Sequence, residues 1–300
     1  MAPHHILLAA TVAMLWGWDF IFAKASLEFL PPFLFTTLRF LLVGLLVVPF
    51  VAMPKGKQWI RLLELSFVLC TLHFAFLFKG LSTNLDIPTL VITGQLSTPF
   101  ACILSVLIFR ERLSAWRTLG MIVAFVGIIV VAVGMKTTDA AGNSSVDGFF
   151  LIMGASLMFA IANLIMKRME GIPHMSMVGW MSLLAAPQIV VLSLIFEHNQ
   201  WNTLMNTPIM AVSGLAYSAI CSTIIAYSIW YALLSRYHVN QVVPFGLLVP
   251  IFGTIGSQIF FNDPLPWQTI FGGLITIAGV AIIILPRPHF MRPPHVASPE

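Results

Sequence analysis

The chain has 300 residues, of which 59% are hydrophobic and 9% charged, with a mean hydropathy of +0.95. A soluble domain carries roughly 25% charged residues, so this composition cannot clothe a globule in polar surface and implies an integral membrane protein without a separate soluble domain. The net charge of +4 comes from basic residues spread over the loops, which excludes a nucleic-acid-binding stripe.

A bilayer crossing needs about 20 apolar residues. Clusters of Pro, Gly and charge divide the chain into ten such runs, predicted at 6–27, 33–53, 59–80, 87–108, 116–135, 148–166, 175–196, 209–234, 240–260 and 267–285. The breaks between them include LPP at 30–32, MPKGK at 53–57, RERL at 110–113, GIPH at 171–174, EHNQWN at 197–202 and NDPLP at 262–266. The longest polar stretch, TTDAAGNSSVDG at 137–148, separates five runs from five. The first run is too long for a signal peptide, lacks a basic leader and contains Asp19, so it reads as a span. Cys70, Cys102 and Cys221 all fall within spans and show neither disulfide nor metal spacing. The scattered histidines lack ligand spacing too, so no metal or cofactor is expected.

Cytoplasmic loops are enriched in Lys and Arg. With the amino end inside, Lys55, Lys57, Arg61, Arg110, Arg112, Arg117, Lys167, Arg168, Arg236, Arg287 and Arg292 fall on the inner face. Lys24, Lys79 and Lys136 fall outside. Eleven against three places both termini in the cytoplasm, with Arg39 left inside span two.

The halves resemble each other. MLWGWDFIFAKAS from Met14 aligns with MFAIANLIMKRME from Met158 and pairs Asp19 with Asn163. Pro99 then matches Pro250 at an offset of 151, and Phe109 and Gly127 match Phe261 and Gly279 at 152. A duplicated five-helix unit must insert its second copy from the opposite face. The expected fold is therefore all-α, with ten transmembrane helices in two inverted five-helix repeats. The first repeat is 1–135, the linker 136–147, the second repeat 148–286 and the cytoplasmic tail 287–300. Inverted repeats place a substrate site near the bilayer midplane and imply transport, and no catalytic motif supports an enzyme.

WGWDFIFAK, LPPFLFTTLRF with Arg39, FAFLFKGL from Phe74, FRERL from Phe109 and LLSRYHVNQVVPFGLLVPIFG from Leu233 carry a resemblance over the whole chain. The chain resembles the EamA branch of the drug/metabolite transporter superfamily, most of all the bacterial exporters of cysteine and O-acetylserine. The resemblance implies secondary export of small polar metabolites, either proton-linked or otherwise gradient-driven, across the bacterial inner membrane, through a cavity lined by spans one, three, four, six, eight and nine. Position 19 departs from the pattern, being Asp where the family more often has Asn, Ser or Thr. Two further departures are Pro99 and the Asn262-Asp263-Pro264 signature, where a Glu is common.

An ionised carboxylate in a span costs ~3 kcal/mol on insertion scales, so Asp19 needs a partner or a wet cavity. Two readings follow: a structural ion pair with Arg39, or a cavity-facing group that binds a substrate ammonium or takes up a proton. His73 in span three reads either as a hydrogen-bonded core residue or, because its charge changes near physiological pH, as a substrate contact and the second proton-coupling candidate. The amides of Gln95 and Asn163 both donate and accept, which suits either a zwitterionic amino acid as the small-molecule substrate or hydrogen bonding between helices. Trp16, Tyr217, Tyr227 and Trp230 are candidate lining aromatics, with Tyr231 an interfacial-belt candidate beside Trp230. Pro99 and Pro250, inside spans four and nine, are either paired hinges or static kinks that shape the packing. Glycines at 120, 127 and 134 in span five and at 272, 273 and 279 in span ten offer small-residue faces, either to each other or to a homodimer. Glu111, between Arg110 and Arg112, reads as a local surface ion pair. A nucleotide-sugar or lipid-linked-sugar carrier is the nearest rival, but it would need cations in the cavity, and only Arg39 lies at depth.

Overall fold

In the computed structural model the described residues are 1–83, 85–109, 114–138, 145–167, 169, 171–234, 236–237, 239–263 and 265–285. The Arg110-Glu111-Arg112 cluster, most of the linker and the tail from residue 287 lie outside them. Among the described residues every regular element is helical. Ten helices are long and apolar enough to cross a bilayer: α1 (Pro3–Leu27), α2 (Pro32–Phe50), α3 (Gln58–Leu81), α4 (Ile87–Ile108), α5 (Ala115–Met135), α6 (Val146–Met166), α7 (His174–Phe196), α8 (Ile209–Leu234), α9 (Val243–Phe261) and α10 (Trp267–Ile284). Each boundary falls within three residues of the sequence expectation. Proline explains much of this sharpness: Pro3, Pro32 and Pro88 sit in first turns, where a missing N–H costs nothing.

Lipid is as apolar as leucine, so these helices associate by close packing and polar contacts rather than by hydrophobic burial. The tightest pairing is α5 on α10. A Cβ on Gly127 would lie 2.5 Å from the Thr276 amide nitrogen and 2.6 Å from the Gly272 carbonyl, so the backbones touch. The two glycine faces therefore serve each other within one chain. A homodimer through these spans would have to use their outer faces, where Ile122, Ile129 and Leu274 are exposed.

The second extensive pairing is α2 on α7. Gly44 lies against the backbone of Leu183. At one end Trp180 Nε1 donates to the Ala52 carbonyl at 3.1 Å. At the other, the Glu197 carboxylate accepts from the backbone N–H groups of Phe33 at 2.7 Å and Leu34 at 3.0 Å, and from Ser193 Oγ at 2.6 Å. Pro31 and Pro32 can supply no cap of their own, and an anion beside free N–H groups at a helix start complements both their hydrogen bonding and the dipole. Glu197→Ala is expected to lower stability by about 2 kcal/mol. Glu197→Gln, which keeps one acceptor, should cost less. Thermal unfolding in detergent, read by maleimide labelling of the buried Cys70, separates these outcomes.

Helix α1 runs along α8 and α9, and Gly17 permits its closest approach to α9: a Cβ there would lie 2.8 Å from the Gly253 amide nitrogen. At its start His5 Nδ1 is 2.7 Å from Tyr237 Oη, just past the end of α8. At its far end Lys24 Nζ meets both Asp263 carboxylate oxygens at 3.0 and 3.1 Å.

Candidate functional site

Halfway along α1 the two intramembrane charges meet. Arg39 Nη1 of α2 donates to Asp19 Oδ2 at 2.8 Å, and the arginine retains 2% of its exposure and the aspartate 7%. The other carboxylate oxygen accepts from Ser218 Oγ of α8 at 2.5 Å. Arg39 Nη2 and Nε donate to Thr223 Oγ1 at 3.0 and 3.3 Å, and the guanidinium lies 5.0 Å from the centre of the Phe74 ring. Every oxygen of the carboxylate and most guanidinium donors are engaged, as a buried ion pair requires. The structural pairing is thus the arrangement that Asp19 adopts.

Local backbone geometry makes this possible. Residues Tyr217–Ile225 of α8 form a π-helix, whose hydrogen bonds run i→i+5. In an α-helix of 3.6 residues per turn, positions 218 and 223 would point about 140° apart. In the wider turn they lie one above the other, and Thr223 Oγ1 bonds the Ser218 carbonyl at 2.8 Å. One ion pair can then grip both hydroxyls. Trp16 Nε1 takes the Ser222 carbonyl in the same segment at 3.1 Å.

A second π-helix, Ser66–His73, lies in α3. Ser66 and Thr71 are again five apart, and each precedes its counterpart, Ser218 or Thr223, by 152 residues. Here one neutral amide from α7 does the gripping: Gln188 Nε2 donates to Ser66 Oγ at 2.8 Å, and its Oε1 accepts from Thr71 Oγ1 at 2.8 Å. At the end of the segment His73 Nδ1 is 2.8 Å from the Ala155 carbonyl of α6. A carbonyl only accepts, so Nδ1 carries the proton and Nε2 is left open. The paired serine and threonine stand in the sequence as a repeated S-x4-T pattern, but five-residue spacing brings no two side chains to one face of an α-helix, and nothing local links Gln188 to them.

Of the aromatic candidates, Trp16, Tyr227 and Trp230 come together, with Trp16 ring centroids 5.3 Å from Tyr227 and 5.0 Å from Trp230. Tyr231 stacks on His174 at 4.2 Å. Tyr217 stacks on Phe22 of α1 at 4.1 Å and donates to the Leu15 carbonyl at 3.2 Å, which makes it a helix-to-helix contact.

Gln95 sits where α4 is interrupted. The first helical segment ends at Gly94, Gln95 and Leu96 form a turn, and a second segment runs Ser97–Phe109. Ser156 Oγ of α6 lies 3.2 and 3.4 Å from the Thr93 and Gly94 carbonyls that end the first segment. Asn163 stands seven residues further along α6, on the face that carries Ser156, and is exposed. Neither the Gln95 nor the Asn163 amide bonds another described residue. The corresponding stretch of α9, Val243–Leu248, is a 3-10 helix that gives way to an α-helix at Val249. Nothing lies within 4 Å of a Cβ placed on Gly94 or Gly246, so both irregular stretches border open space. Helices α4 and α9 bury 28% and 22% of their most apolar stretch, against 39–50% for the other eight, which marks them as the loosest walls of the bundle.

Pro99 and Pro250 correct the sequence reading in one respect. Each lies in the first turn of the helical segment that follows the irregular stretch, not inside a continuous helix. The rings therefore start a segment, a place where proline costs little, instead of kinking one.

At the far end of α1, Asp263 joins three spans: its carboxylate takes Lys24 of α1, the Ile87 N–H that opens α4 at 3.2 Å and Ser257 Oγ of α9 at 2.5 Å. The neighbouring Asp86 caps α4 by accepting the Thr89 N–H at 2.7 Å. Burial pushes the Asp86 carboxyl above its ordinary value, and the Thr89 bonds pull it back. Among the described residues no group of three or more His, Cys, Asp or Glu side chains could hold a metal.

A ten-helix bundle with polar residues gathered around broken helices at mid-depth is the architecture of a polytopic transporter. The model of the EamA-like transporter family matches residues 4–133 and again 147–285, and the chain belongs to that family. It is 30% identical over 284 residues to a probable amino-acid metabolite efflux pump of Salmonella typhimurium (strain LT2), covering 92% of this chain and 93% of the relative. The protein of Escherichia coli (strain K12) with the same description is 28% identical over the same shares. An uncharacterized transporter of Archaeoglobus fulgidus is 27% identical over 92% of this chain and 95% of its own. A solved structure with 18% identity superposes over 94% of this chain and 96% of its own with a TM-score of 0.64, a likeness of fold. The family and the relatives' descriptions make the protein a multi-pass membrane transporter and not an enzyme.

Proposed function

We propose that this protein exports neutral amino acids or closely related small polar metabolites across the bacterial inner membrane by alternating access. In this reading the two family matches are inverted five-helix halves, divided as 1–135 and 148–286, with both termini cytoplasmic. Cargo rests beside the break in α4, between the amides of Gln95 and Asn163 and the Trp16–Tyr227–Trp230 group. The observation that carries the reading is the uncommitted Gln95 amide beside open space at the break in α4, because a polar group left unpaired within a span is costly unless a ligand or water meets it; the exposed Asn163 amide stands nearer the end of α6. Arg39 is neutralised by Asp19, so among the described residues this arginine offers no unpaired charge at that depth to a phosphate, which disfavours a nucleotide-sugar or lipid-linked cargo.

The engagement of Asp19 also shifts the coupling assignment. His73, with Nε2 open, becomes the preferred proton-coupling residue. Counterflow in liposomes with radiolabelled serine, cysteine, O-acetylserine and alanine tests the site. Gln95→Ala and Asn163→Ala should each raise KM for the accepted cargo about tenfold. His73→Gln should abolish uptake driven by a pH gradient and spare exchange. Parent-like KM values in both amide variants would refute the site, and parent-like pH-driven uptake in His73→Gln would refute the coupling role.

A further inference from the structure

We propose that Gln188, a residue outside the cargo cavity, is a positioning residue that holds α3 in its wide-turn register and thereby aims His73 at α6. The inference concerns the geometry of His73. Its relevance to transport rests on the reading given above.

Three observations carry it. First, the Gln188 amide reaches Ser66 and Thr71 together, and these face the same way only while the segment is π-helical. The amide is itself held by Nε2 donating to the Leu184 carbonyl of its own helix at 3.1 Å, so its orientation is fixed before it meets α3. Second, the extra residue of a π turn rotates everything beyond it by about one α-helical step of 100° relative to what precedes it. His73 closes the segment, and its Nδ1–H···O=C bond to Ala155 exists only in that rotated setting. Third, the same device recurs across the molecule. Arg39 of α2 stands 149 residues before Gln188 of α7, and with Asp19 it grips Ser218 and Thr223 of the other π segment as Gln188 grips Ser66 and Thr71. Two wide turns at matched positions, one spanned by the single Gln188 amide and the other by the Asp19–Arg39 pair drawn from two helices, are not an accident of local sequence.

Removing the clasp should let α3 relax to α-helical hydrogen bonding, which gains about one backbone bond over the segment and loses the His73–Ala155 contact. The test needs no cargo. In protein labelled with 15N-histidine and reconstituted in lipid nanodiscs, the His73 signals are assigned by their absence in His73→Gln. The parent should show a fixed Nδ1–H tautomer. Gln188→Leu should move both ring nitrogens toward the tautomer average. The double variant Ser66→Ala/Thr71→Val, which deletes the same two bonds from the other side, should do the same if the Leu variant does not fold. Cys70 supplies an independent reading because it lies within the π segment and is fully buried. With Cys102 and Cys221 replaced by serine, its maleimide labelling in folded protein should speed up at least tenfold in either variant. A fixed Nδ1–H tautomer and protected Cys70 in folded Gln188→Leu would overturn the proposal. Transport by His73→Gln, measured separately, tells that failure apart from failure of the coupling assignment.

Discussion

Replacing Arg39 by leucine should cost the folded protein about 3–5 kcal/mol, the largest loss expected from any single side chain in the bundle. The leucine fills much of the space but strands the Asp19 carboxylate, which keeps only the Ser218 hydroxyl, at a depth where lipid offers no solvation. Asp19→Asn should be milder, because an amide oxygen still accepts from Ser218 and Arg39 retains Thr223 and the Phe74 face. The informative comparison is the double variant Asp19→Asn/Arg39→Gln. It removes both charges while keeping polar groups that can bond each other, so it should recover most of the loss. The two substitutions would then be strongly non-additive. Thermal unfolding in detergent with Cys70 labelling measures all three. If Arg39→Leu lies within about 1 kcal/mol of the parent, the pair is not what joins α1, α2 and α8.

The second large effect concerns the seam between α5 and α10. A methyl group on Gly279 would lie 2.7 Å from the Gly120 carbonyl and closer still to the Ala124 amide nitrogen, so it meets backbone on both sides. Alanine gains about 1 kcal/mol over glycine in a helix interior. Overpacking costs about 1–3 kcal/mol even where side chains can rotate away, and backbone cannot rotate away, so the clash wins. Gly279→Ala and Gly127→Ala should each lower stability by about 2 kcal/mol, and the pair together by more. Gly154→Ala in α6 is the internal control. Its nearest neighbour, the Phe76 ring, lies at 3.4 Å, an ordinary contact, so this variant should match or slightly exceed the parent. Equal melting temperatures for Gly279→Ala and Gly154→Ala would remove the seam as a stability determinant.

The spans themselves were fully legible, because hydropathy and proline punctuation are local and the membrane enforces them. The meeting of Asp19 and Arg39 was legible as one of two alternatives. The default that charges in lipid find each other pointed to it, but only the fold could supply Ser218 and Thr223 from a helix 200 residues away. Glu197 and Asp263 read as loop residues at helix ends. Their function as caps of α2 and α4 depends on which ends the topology brings together, and adjacency across 164 or 176 residues leaves no mark in either local sequence. The π segments were illegible for a different reason. Periodicity arguments assume 3.6 residues per turn, so a register shift inside a uniformly apolar run changes no pattern that they detect. The interruption of α4 at Gln95 was hidden likewise, since neither neighbour of that glutamine breaks the hydropathy.

The separation of twenty positions from Asp19 to Arg39 also bears on biogenesis. A newly inserted hairpin of α1 and α2 already contains both charges, so neither has to wait alone in lipid while the remaining chain is synthesised. The hydroxyls that complete the cluster arrive only with α8, after most of the polypeptide has left the ribosome. The acidic residue thus acts as an early companion for an arginine whose remaining partners arrive much later, and insertion of the first hairpin is relieved of its most expensive step.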